Sequence, residues 1–174
     1  MKAAPPEPMP DVVTGCLEAC RRCEAVVAAV IEQDPTAYPA VGPHLRHCVD
    51  HFRLLAERWR SGTVDYDARA REQRLERDPQ AVLDALDDIA AALRSIRSHD
   101  LPCELTVMQS AAPGRPPVAS SSRLERELIF LSGHTIHHIA IMVFAAKSAG
   151  VVLPSELAVA YSTEAHRETY AVKG

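Results

Sequence analysis

The chain has 174 residues, 47% hydrophobic and 24% charged, which is enough apolar material for one globular core. A formal net charge of -4 with no basic stripe argues against nucleic acid as a partner. Aromatic residues make up only 5%, so the core must be aliphatic and alanine-rich, which suits closely packed helices.

Residues 1–10 are proline-rich without an apolar stretch and read as a flexible segment, not a secretory signal. The apolar runs elsewhere read as too short to span a bilayer, so no membrane partner is expected. The five cysteines are Cys16, Cys20, Cys23, Cys48 and Cys103. An odd number without an export signal points to a reducing cytoplasm, not a disulfide scaffold.

Val13, Cys16, Cys20, Cys23, Val27 and Val30 recur at three- and four-residue steps. They predict a first helix from Asp11 to Gln33, with Asp11 as N-cap and Asp34-Pro35-Thr36 as its stop. A second helix is expected from about Ala40 to Arg60, ending at Gly62, with Val41, Leu45, Cys48, Phe52, Leu55 and Trp59 inward. Residues 63–77 are polar and arginine-rich and read as a connector with a short helix from about Asp67. Asp78-Pro79 opens a third helix, with Val82, Leu86, Ile89, Leu93 and Ile96 on its apolar face. Cys103 to Gln109 and Pro116 to Ala119 read as a small β-hairpin. Ser122 and Glu125 have capping-box spacing and open a fourth helix that stops at Gly150. The tail, residues 151–174, holds Pro154 and a short helix near Ser155–Tyr161. The expected fold is all-α, a four-helix bundle spanning residues 11–150 with a small hairpin before the last long helix.

Six of the eight histidines fall in two groups, His44, His47 and His51 in the second helix and His134, His137 and His138 in the fourth. At about 100° per residue, His134 and His138 share one helix face, with Glu127 on the same stripe. An i, i+4 pair offers two nitrogens to one metal, and a third imidazole from the second helix completes a three-histidine site. Such a set leaves a coordination position open for water or substrate. The bland alternative is that these histidines are hydrogen-bonded core residues. Against it, several imidazoles in an aliphatic core leave many nitrogens needing partners, and a metal satisfies several together.

Two segments resemble a known family. Ala40-Val-Gly-Pro-His-Leu-Arg-His47 is similar to the second-helix start of DinB-like (DinB/YfiT) proteins, and His134-Thr-Ile-His137-His138-Ile resembles their fourth-helix motif. The resemblance covers about residues 11–150. It implies a four-helix bundle with one long crossover, often dimeric, and metal ligands at His47, His134 and His138. His51 follows a similar local pattern one turn later and stands as the alternative or additional ligand. Where the family often carries Arg-Gly-Gln after the doubled histidine, this chain has Ile139-Ala140-Ile141. Some members resemble thiol S-transferases, and related domains hold iron for oxygen chemistry. The implied cofactor is one divalent transition metal, zinc first, with nickel and iron open. The implied partner is a small molecule such as a thiol, and a transferase or hydrolase activity is left open, with no catalytic residue named.

The cysteines carry a rival reading. Cys16, Cys20, Cys23 and Cys48 could form a soft-metal or redox site, making the chain a sensor or storage protein. Their bland reading is as small core residues. Glu127 is a candidate orienting acceptor or general base, with an arginine ion pair as the simpler expectation. Tyr66 and Arg69 are candidates for a site mouth, with a solvated connector as the default.

Overall fold

The computed structural model describes residues 8–171, so most of the expected flexible segment at residues 1–10 lies outside the described residues. The chain is mainly helical with one small three-stranded sheet. Helix α1 spans Asp11–Gln33, α2 Gly42–Arg58, α3 Pro79–Arg94 and α4 Leu124–Ser148. Among these, α1 packs on α3 and α4, and α2 packs on the same two. The periodic positions explain this packing. Every apolar residue expected on the inward stripes of the first three helices is buried. Within the helices this is because residues three and four apart share a face, while Val41, Trp59 and Ile96 are buried just beyond the ends of α2 and α3, which are shorter than expected.

The helix ends depart from expectation in instructive ways. Asp11 is not the N-cap of α1. Pro10 is, and its carbonyl takes the amides of Val13 and Thr14 at 3.0 Å, while Asp11 sits in the first turn, where its charge complements the helix dipole. The start expected near Ala40 is a separate 3-10 turn, Pro35–Ala40, and α2 follows it at Gly42. A Cβ on Gly42 would collide with the Glu76 carbonyl, so glycine lets the connector lie against the first turn of α2. Asp78 caps α3 as expected, accepting from the amides of Gln80 and Ala81.

The capping box expected at Ser122 and Glu125 does not form. Ser122 lies within a strand that runs to Arg123, directly before the helix, and its hydroxyl donates to Glu127 Oε1 at 2.5 Å instead. The hairpin is present as β2 (Glu104–Gln109) and β3 (Val118–Arg123), antiparallel, with the second strand later and longer than expected. The connector also contributes β1 (Thr63–Asp65), which pairs parallel to β2 with Val64 opposite Val107. Three residues after a polar turn carry too little alternation to be read as a strand. The tail folds as a 3-10 turn, Ser155–Ala158, and α5, Tyr161–Ala171.

Helix α4 also corrects the reading of the apolar runs. By length and composition alone it is long and apolar enough to cross a membrane. In this fold it lies against α1 and α2, with Leu124, Leu128, Leu131, Ile139 and Met142 in the core.

Candidate metal centre

The packing of α2 on α4 brings the two histidine groups together. His47 Nε2 and His134 Nε2 lie 2.9 Å apart across the helix pair. His51, one turn further along α2, places its ring 4.2 Å from that of His47 and 5.1 Å from that of His134. One ligand nitrogen from each of His47, His51 and His134 falls within 4.8 Å of the others. No other such group of histidine, cysteine or carboxylate ligand atoms occurs among the described residues. Two imidazole nitrogens on one tetrahedral zinc stand about 3.3 Å apart, given bonds of about 2.0–2.1 Å. The donor set and its spread therefore fit a divalent ion, with ring rotations closing the wider gap.

His138 sits beside this trio. Its ring centroid is 4.4 Å from His47 and 4.6 Å from His134, while its Nδ1 meets His44 Nδ1 at 3.1 Å. His137 points to the exposed side of α4.

Hydrogen bonding sets the tautomer of His51. Its Nδ1 donates to the His47 carbonyl at 2.7 Å, because a carbonyl can only accept. The lone pair is therefore on Nε2, the arrangement in which a backbone acceptor orients a metal-binding imidazole. Arg69 Nη1 lies 3.2 Å from that nitrogen and donates to it.

The electrostatics keep these rings neutral. Burial pushes His47 down to about 3, and the proximity of His51, His134, Arg69 and Arg46 further disfavours a positive charge on it. Burial likewise takes His138 down to about 3 and His51 to about 4, and lowers His134 and His44. Neutral imidazole is the form that ligates, so protons compete weakly with a metal here.

The surroundings differ from the expected solvated connector. Tyr66 is 1% exposed, its ring 5.3 Å from His51, and its hydroxyl donates to Glu127 Oε2 at 2.9 Å. Glu127 is buried and takes its hydrogen bonds from Tyr66 and Ser122; its nearest guanidinium, Arg126, is 3.9 Å away. The arginine pair expected for Glu127 is thus the lesser contact. Phe130 stacks on His134 at 5.3 Å and closes the same wall. The buried Tyr66–Glu127 pair had one signal in the sequence, the lone tyrosine in an otherwise polar connector. A cavity of about 650 Å³ lies between the sheet and the start of α4, lined by Ser122 and Glu127 but by no histidine.

The cysteines are placed differently. Cys16, Cys20, Cys23 and Cys48 are at most 1% exposed. Cys16 donates to the Leu128 carbonyl, and burial pushes its pKa up to about 12. Burial also raises Cys20, and a hydrogen bond with Cys48 together with burial raises Cys23. Burial thus holds Cys16, Cys20 and Cys23 as protonated core thiols, which makes them poor nucleophiles.

In comparisons with known proteins, no family model, no curated protein and no solved structure matches the chain.

Proposed function

We propose that the chain is a DinB-like metalloprotein: a four-helix bundle with one long crossover that holds one divalent transition metal, zinc first, at histidines of α2 and α4. In this reading His47, His51 and His134 are the ligands, and His138 is the adjacent imidazole that replaces His51 if the ring contacts rearrange on binding. The observation that carries the reading is the convergence of three ligand nitrogens within 4.8 Å of one another, across two helices. The resemblance of the Ala40–His47 and His134–His138 segments supports it independently.

Three protein ligands leave room for a further one, which is the arrangement of metal centres that act on small molecules. A bound divalent ion would supply Lewis acidity, holding a small thiol as its thiolate. The chain's own residues do the rest. The His47 carbonyl fixes the His51 tautomer. Tyr66 and Phe130 exclude water from one side, with Glu127 holding the Tyr66 ring in place. The fitting activity is metal-assisted chemistry on a small molecule, transferase-like on a thiol.

Elemental analysis of untagged protein tests the reading. One transition-metal ion per chain is expected, lost in His47→Ala and His134→Ala while helicity persists. Stoichiometric metal in the double variant rejects it.

A further inference from the structure

Arg69 is set apart by its contacts: its Nη1 lies against His51 Nε2 and its Nε is buried with no hydrogen-bond partner. Two arginines of α2 are matched by acids: Arg46 pairs with Asp50 and Glu76, and Arg53 pairs with Glu72. Arg69 forms no ion pair among the described residues. The two carboxylates whose charge reaches it are engaged elsewhere, Asp50 by Arg46 and Asp67 by the amide and hydroxyl of Ser110. Its Nη1 donates to the Tyr66 carbonyl and to His51 Nε2, and its Nε is buried with no hydrogen-bond partner.

This placement is costly without a ligand. A buried guanidinium N–H with no acceptor forfeits its solvation. The acceptor that Arg69 does have, His51 Nε2, is the lone pair that a metal would take. Metal loading would therefore take that acceptor from Nη1, which keeps the Tyr66 carbonyl, and leave one further N–H unsatisfied. The charges point the same way. Neutral imidazoles leave a divalent ion its full charge, and the guanidinium adds one more positive charge beside it. No carboxylate belongs to the ligand group.

Resting on the metal site proposed above, we propose that Arg69 is the anion-binding arm of that centre, and that the small molecule taken there carries a carboxylate. One end of the ligand would occupy the open metal position, and the carboxylate would accept from the Arg69 fork, whose geometry matches two oxygens at once. The turn that precedes Arg69 is anchored at its start. Asp65 accepts from the Asp67 amide, and Asp67 anchors to Ser110 at the end of β2.

The full chain loaded with cobalt(II) tests this through the thiolate-to-cobalt charge-transfer band. Mercaptopropionate and mercaptoethanol are titrated in parallel, with bound cobalt measured throughout. The anionic thiol should bind tighter by about tenfold or more, the usual worth of a charge-assisted hydrogen bond. Arg69→Gln should remove most of that preference with cobalt still at one per chain, and Arg69→Lys should keep part of it. Equal affinity for the two thiols, or a preference that survives Arg69→Gln, overturns the anion arm and leaves the metal site standing. Failure of the wild-type chain to hold cobalt overturns both.

Discussion

The histidine cluster and the cysteine cluster are built from the same kind of material, metal-capable side chains at helical spacing, yet the fold treats them in opposite ways. The histidines sit where α2 faces α4, partly open, with nitrogens from both helices aimed at one point. The cysteines lie deeper, among Val13, Val26, Val27 and Leu45 in the continuous apolar core. Burial acts on both, but the consequences differ. It keeps an imidazole in its ligating neutral form, and it keeps a thiol in its non-ligating protonated form. Spacing alone therefore does not distinguish a site from a core stripe. Depth and convergence do.

The sharpest way to break this contrast is by substitution. His47→Ala or His134→Ala should abolish stoichiometric metal binding. Replacing Cys16, Cys20, Cys23 and Cys48 together by Ser should leave the metal ratio unchanged and lower stability instead, by about 1–3 kcal/mol per poorly satisfied hydroxyl. Elemental analysis alongside urea unfolding separates the two outcomes. Metal loss in the serine variant under conditions where it remains folded would return the cysteines to the site.

A second test uses pH, because the two clusters should tilt stability in opposite directions. His47, His51 and His138 have folded pKa values of about 3, 4 and 3, against about 6.5 in the unfolded chain. The unfolded state thus binds more protons below about pH 6.5, and metal-free protein should lose stability steadily as pH falls from there toward 4. Cys16, Cys20 and Cys23 are raised, so the unfolded chain releases their protons first, and stability should fall as pH rises above about 8.5. Urea midpoints across pH 5 to 10 should show a plateau between these limits. A midpoint that stays flat from pH 7 to 5 would contradict the buried, neutral state of the histidines.

The third ligand gives a finer comparison. His51→Ala should weaken metal binding by about 10–100-fold, and His138→Ala by less, since His138 Nδ1 is engaged with His44. The reverse order would move the third ligand one element over, onto α4. At the small end, Gly42→Ala should cost about 1–3 kcal/mol by forcing the 3-10 turn Gln73–Glu76 off α2, with little effect on the metal ratio. Thermal or urea unfolding of the variant checks it.

Much of the molecule is legible in the sequence by itself. The helical stripes, the Asp78 cap, the stop at Gly150 and the i, i+4 histidine pairs are local features. Each depends on residues within one or two turns of one another, so periodicity and capping chemistry suffice to read them. The hairpin is legible for the same reason, though its second strand is displaced because Ser120, Ser121 and Ser122 give no alternating signal.

What only the tertiary structure decided is every relation between elements. His51 joins His47 and His134 because of how α2 crosses α4, which no spacing within either helix contains. Tyr66 and Arg69 reach the histidines because β1 pairs parallel to β2 and draws the connector inward. Glu127 turns to Tyr66 and Ser122 because burial leaves it those two donors and holds Arg126 at a distance. A side chain's face is set by its own helix, but its partners are set by the packing of distant segments.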